Sequence, residues 1–114
     1  AQNGVGDMCT FEEATLPGVL DVLGAAGEQF DIVLAKMLTV VREAGGGPED
    51  IGRMTIFVSD LNAYLEARGD IGPAYRAHMG KHYPAMALVE VKRLLDPRAQ
   101  VEIEGTAVIP DLSV

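Results

Sequence analysis

Apolar residues recur along the chain with two different periods. Between Gln29 and Glu43, the residues Phe30, Val33, Leu34, Met37, Leu38 and Val41 return every three or four positions, with Asp31, Lys36, Arg42 and Glu43 mostly outside the pattern. At 3.6 residues per turn this spacing gathers the apolar side chains into one stripe, which predicts an amphipathic helix. Gly45-Gly46-Gly47-Pro48 predicts its end, because glycine accepts the left-handed cap and proline cannot extend the ladder. The period then drops to two. Met54, Ile56 and Val58 alternate with Thr55, Phe57 and Ser59, predicting a strand over Arg53 to Ser59 in residues that suit a pleated surface.

Asp60 offers an N-cap to a second helical region whose Leu61, Tyr64, Leu65, Ile71, Tyr75 and Met79 are expected to face inward. An interruption is expected near Gly69 and Gly72-Pro73, and an end at Gly80. Two further strands are predicted at Met86 to Lys92 and Gln100 to Ile109, and the proline-punctuated Leu94 to Arg98 between them suggests a hairpin. In the second of these, Val101, Ile103, Gly105, Ala107 and Ile109 share one face, and Glu102, Glu104 and Thr106 share the other. Met8 to Gly27 is punctuated by Pro17, Gly18, Gly24 and Gly27 and reads as loop with a short helical turn. No repeat or linker divides the chain. Residues 1–114 are therefore expected to form a single α+β domain, a mixed sheet with two helices packed on one face.

Composition narrows what such a domain can do. Seventeen acidic residues against nine basic ones give a formal charge of −8, a field that repels polyanions and argues against nucleic acid or an anionic membrane as partner. With no Trp, three Tyr and three Phe, there are few rings on which to stack a base or a sugar. The lone Cys9 cannot form an intramolecular disulfide, and no Cys/His cluster has zinc-ligand spacing, so a reducing, cytoplasmic setting and no metal are expected. No apolar run is long enough to span a bilayer, and Ala1-Gln2-Asn3-Gly4 lacks the basic and apolar regions of a signal peptide.

Several short stretches, taken in order, resemble the reactive intermediate deaminase family (Rid, YjgF-type). They are Tyr83-Pro84-Ala85-Met86 and Val101-Glu102-Ile103-Glu104-Gly105-Thr106-Ala107, with support from Gln2, which is similar to the last residue of the family's Ser-Gly-Gln strand end. Ala44-Gly45-Gly46 with Pro48-Glu49-Asp50, and Thr55-Ile56-Phe57-Val58-Ser59-Asp60, extend the likeness over nearly the whole chain. The resemblance implies a chorismate-mutase-like protomer, a homotrimer with small-molecule clefts between subunits, and hydrolysis of reactive enamines or imines with release of ammonia and no cofactor. It also implies that about one hairpin of the family's N-terminal sequence is missing here, for which a partial chain is the expected explanation.

The departures are as informative as the matches. Where the family's deaminases place an arginine that clamps the substrate carboxylate, this sequence has Met86. The usual cysteine two residues later is Leu88, and the asparagine three residues before the Tyr75 position is Gly72. Glu102 matches the family's catalytic-site glutamate. The expected site is thus Glu102 as acid or base, with Met86, Leu88, Gly72, Gln2 and Tyr75 lining the substrate position.

Imine hydrolysis needs a positioned water and a group that exchanges protons near neutral pH, and a carboxyl desolvated in a cleft meets both needs. The plainer reading of Glu102 is an outward residue of an alternating strand. Methionine cannot replace a bidentate, permanently charged clamp, so Met86 means either an apolar or uncharged ligand or simple packing. Arg53, Arg93 and Arg98 are possible substitute cations, His78 and His82 possible proton carriers, and Glu104 a second-rank carboxylate. Cys9 has no activating neighbour in sequence. Two function classes remain open. One is a metal-free enzyme on enamine or imine species, weak on the usual iminoacids; the other is a ligand-binding or protein-interaction module that kept the scaffold and lost the reaction.

Overall fold

The computed structural model describes residues 7–14 and 26–110. In chain order these form strand β1 (Asp7–Ala14), helix α1 (Ala26–Glu43), a 3-10 turn (Pro48–Asp50), strand β2 (Ile51–Val58), helices α2 (Leu61–Glu66) and α3 (Arg68–Met79), and strands β3 (Ala85–Glu90) and β4 (Val101–Ile109). The strands make one mixed sheet in the order β1-β4-β2-β3. β4 runs antiparallel to both its neighbours, and β2 pairs parallel with β3 through the α2–α3 crossover. A parallel pair needs such a long connection, and here two helices supply it.

The helical stripe does what its period predicts. Phe30, Val33, Leu34, Met37, Leu38 and Val41 are all buried, and they meet Met54, Ile56 and Val58 of β2 and Val101, Ile103, Ala107 and Ile109 of β4. Ile71, Tyr75 and Met79 of α3 close the same core. Full burial of an aliphatic side chain of this kind contributes about 1.5–3 kcal/mol, so the stripe is the main stabilising element of the layer. Gly105 sits where α1 crosses β4, and a Cβ there would lie 3.1 Å from Met37 Sδ. The α+β class and the packing of helices on one face are as expected.

The end of α1 follows the glycine signal closely. Gly45 takes φ 97°, Gly45 N–H donates to Arg42 O, and Gly46 N–H donates to Val41 O, the paired bonds of a Schellman cap. Asp60 caps α2 by accepting from Ala63 N–H at 3.1 Å, and Gly80, at φ 62°, ends α3. A bulge at Gly52, between the paired Ile51 and Arg53, turns both Ile51 and Met54 inward although three positions separate them.

Four expectations are corrected. Of Met8 to Gly27, read as loop with a short helical turn, Met8 to Ala14 lie in the strand Asp7–Ala14 paired along its length with β4, and Ala26 and Gly27 already belong to α1. The sequence there ends in Glu-Glu-Ala without clean alternation, and pairing rather than period makes it a strand. β3 and β4 are not a hairpin, because β2 lies between them. The second helical region breaks at Ala67 and not at the glycines, with Pro73 accommodated inside α3. Leu65 is exposed rather than inward, whereas Leu61 and Tyr64 of the same short helix pack against the core. Gln2 and the segment around Pro17 fall outside the described residues.

Candidate functional site

The sheet has one face covered by helices and one left bare by the described residues. β4 register places Glu102 opposite Phe57, Glu104 opposite Thr55 and Thr106 opposite Arg53, and the burial pattern puts all six on the bare face. β3 continues the same rows with Val89, Ala87 and Ala85. On the other side, Glu102 pairs in register with Ala14, the last residue of β1. Glu102 is therefore a half-buried carboxylate at the end of a central strand, beside an aromatic ring position and near the ends of both neighbouring strands.

Met86 and Leu88 lie elsewhere. They are in register with Met54 and Ile56, on the helix side of the edge strand, and are 45% and 39% exposed. Within one chain the expected site residues thus divide between the two faces of the sheet. Tyr75 belongs to the helix side too. It is buried, its hydroxyl donates to His82 O at 2.7 Å, and its ring stacks on the exposed Tyr83 with centroids 5.2 Å apart. Burial, and secondarily the neighbouring Tyr83, hold the Tyr75 phenol above its ordinary range. Tyr75, Tyr83, Met86 and Leu88 form an aromatic and aliphatic border to the sheet, without the cation that an arginine at Met86 would have supplied.

Gly72 lies under a guanidinium. A Cβ at that position would stand 3.3 Å from Arg76 Nη1, so the missing side chain leaves room for Arg76 to fold back over the helix. The two residues are four positions apart on one helix, the spacing that makes side chains neighbours on its surface.

Both histidines are engaged by the scaffold. His82 Nε2 donates to Ile51 O at 2.7 Å, tying the turn before β3 to the start of β2. His78 Nε2 lies 2.6 Å from Asp31 Oδ1 and links α3 to α1. Arg98 is held by Asp96 through contacts at 2.9, 3.2 and 3.1 Å, and Arg53 is on the bare face two rows from Glu102. Cys9 occupies a β1 position opposite Ala107.

A cleft lies between the start of α1 and the α2–α3 corner. Its volume is about 330 Å³, and it is lined by Gly27, Glu28, Asp31, Ala67, Asp70 and Ala74, with an acidic rim. Among the described residues, no group of three or more His, Cys, Asp and Glu is arranged to hold a metal ion, and no helix is long and apolar enough to cross a membrane.

A mixed sheet with helices on one face makes this an α+β domain with the fold of YjgF-family structures. The sequence model of the family described as Endoribonuclease L-PSP matches residues 17–109, and the chain belongs to that family, the Rid/YjgF group of the sequence resemblance. A RutC family protein of Pyrococcus abyssi (strain GE5 / Orsay) is 30% identical over 73 residues, which is 64% of this chain and 54% of that protein. The match thus spans about half the length of that curated relative. Among solved structures, the YjgF gene product of E. coli superposes with a TM-score of 0.75 at 28% identity, covering 90% of this chain and 81% of its own. E. coli TdcF with bound serine superposes at 0.74 and 25% identity, with 95% and 84% covered.

Proposed function

We propose that this protein is a small-molecule enzyme that hydrolyses or tautomerises a reactive enamine- or imine-type metabolite, with Glu102 as the acid or base. The reading is carried by the position of Glu102, half-buried on the uncovered face of the sheet and in register with Phe57. A second chain packed on that face would desolvate the carboxyl further and raise its pKa toward the range useful for proton transfer. Since Glu102 and Met86 occupy opposite faces of one chain, a small ligand touching both needs a cleft built by two chains. The proposed assembly is a homotrimer in the cytoplasm, and the substrate position involves Met86, Leu88, Gly72, Gln2 and Tyr75.

The border of Tyr83, Met86 and Leu88 favours a substrate whose group at that end is neutral or apolar. The test is ammonia release from 2-iminopropanoate and 2-iminobutanoate generated in situ. The parent is expected to be slow on these carboxylates, Glu102→Gln to lose about 100-fold or more in turnover, and Met86→Arg to gain. Turnover unchanged in Glu102→Gln sinks the acid/base role.

A second reading, a ligand-binding module on the same scaffold, is favoured by the separation of Glu102 from Met86 and Leu88. E. coli TdcF, a similar structure, holds a bound serine. Saturable amino-acid binding by calorimetry, with no turnover in the parent or in Met86→Arg, would decide for it. Cleavage of RNA is disfavoured by the charge of −8, which repels polyanions.

A further inference from the structure

The approach to β4 is anchored by an unusual residue. Gln29, in the first turns of α1, is 1% exposed and is the one buried polar side chain recorded among the described residues. Its Oε1 accepts from Gln100 N–H at 2.8 Å, and its Nε2 donates to Arg98 O at 3.3 Å, across 71 and 69 positions of sequence. Ser59 grips the same segment from the end of β2, donating from its N–H to Gln100 O at 3.2 Å and from Oγ to Ala99 O at 3.4 Å. Glu102 follows two residues later.

We infer that Gln29 is a positioning residue for Glu102, which deepens the acid/base reading above and rests on it. Glu102 pairs with Ala14, the last residue of β1, and among the described residues the neighbour of β4 beyond that pair is β2. A carboxylate at that pair is placed as much by what holds the chain before it as by the strand itself. Gln29 contributes two directional bonds to that hold from a helix in the core. A glutamine at the head of an apolar helical stripe would otherwise be a costly choice there, because a buried amide must be bonded at both ends.

The amide can be imitated. A protonated carboxyl at position 29 can donate to Arg98 O and accept from Gln100 N–H, whereas an ionised one loses the donor and faces the carbonyl with negative charge. Methionine matches the length and supplies neither bond.

The experiment measures kcat and KM for 2-iminobutanoate hydrolysis across pH, in the parent, Gln29→Met, Gln29→Glu and Glu102→Gln. Each protein is held at a temperature where circular dichroism reports it folded. Gln29→Met is expected to lower kcat on the order of tenfold or more while KM moves far less, as small misplacements of a reacting group do. Gln29→Glu, taken as a ratio to the parent at each pH, is expected near parental kcat on the acid side and near Gln29→Met on the alkaline side. If Gln29→Met does not fold, that ratio profile alone carries the test. Parental kcat in folded Gln29→Met, or a flat ratio near one for Gln29→Glu, overturns the inference while a loss in Glu102→Gln leaves the acid/base reading standing. No turnover in the parent, or turnover unchanged in Glu102→Gln, overturns both.

Discussion

Asp96 illustrates how local the chemistry of a single residue can be. Its carboxylate accepts from Arg98 N–H and from the Arg98 guanidinium, and these bonds, the side-chain one first, hold its pKa below the ordinary 3.8. A folded-state pKa below the unfolded one means stability present above the unfolded value and lost as pH falls through the folded value. Asp96→Asn is therefore expected to be less stable than the parent at neutral pH by a small margin, since the pair is exposed. The two denaturation midpoints should converge as pH is taken below 3.8, which melts over a pH series would check. Of such residue-scale facts the sequence revealed part. Asp60 as a cap and Gly45 as a left-handed turn were legible, because both act on backbone within a few positions. The partners of Gln29, His78 and His82 lie 31 to 71 positions away, and no local pattern encodes them.

Among the elements, the decisive contact is that of α1 with β4. Gly105 lets Met37 approach the strand, with Sδ 3.1 Å and Cε 3.5 Å from where a Cβ would stand. An alanine needs only a small shift of a flexible side chain. Gly105→Val adds bulk that Met37 and the nearby Arg53 carbonyl cannot both yield to, and it is expected to lower unfolding free energy by about 1–3 kcal/mol in urea titrations. Elements with a strong period were readable from sequence: α1 by its 3.6-residue stripe, β2 and β4 by alternation across a half-covered sheet. β1 and the hairpin expectation failed for one reason. Strand partners are chosen by the whole sheet, and β4 pairs with a strand some 90 residues earlier rather than with its predecessor. The break falls at Ala67, which carries no sequence signal for one, and not at Gly69 or Gly72.

For the whole molecule, the unbalanced sheet sets the expectation. Phe57 is half-exposed on the bare face, and Val89 and Val108 are 39% and 44% exposed on strands of the same sheet. These apolar positions, set among the Glu102, Glu104, Thr55, Thr106 and Arg53 rows, suit a partner surface of mixed chemistry. In the proposed trimer Phe57 is covered. Phe57→Lys should then weaken assembly by about 2 kcal/mol or more per interface while leaving the circular dichroism of the chain unchanged. Sedimentation velocity would check it: a parent that sediments as a monomer at micromolar concentration removes the basis for an intersubunit site.

The sequence by itself determined which segments are amphipathic, where α1 stops, the α+β class, the acidic field and the family resemblance, all of which depend on neighbours along the chain or on totals. Only the tertiary structure decided that Glu102 and Met86 face opposite sides of the sheet and that Gln29 reaches the start of β4. The physical reason is register. A one-residue change in pairing turns every side chain of a strand to the other face, and register is set by the bulge at Gly52 and by strands distant in sequence, which no local pattern can fix.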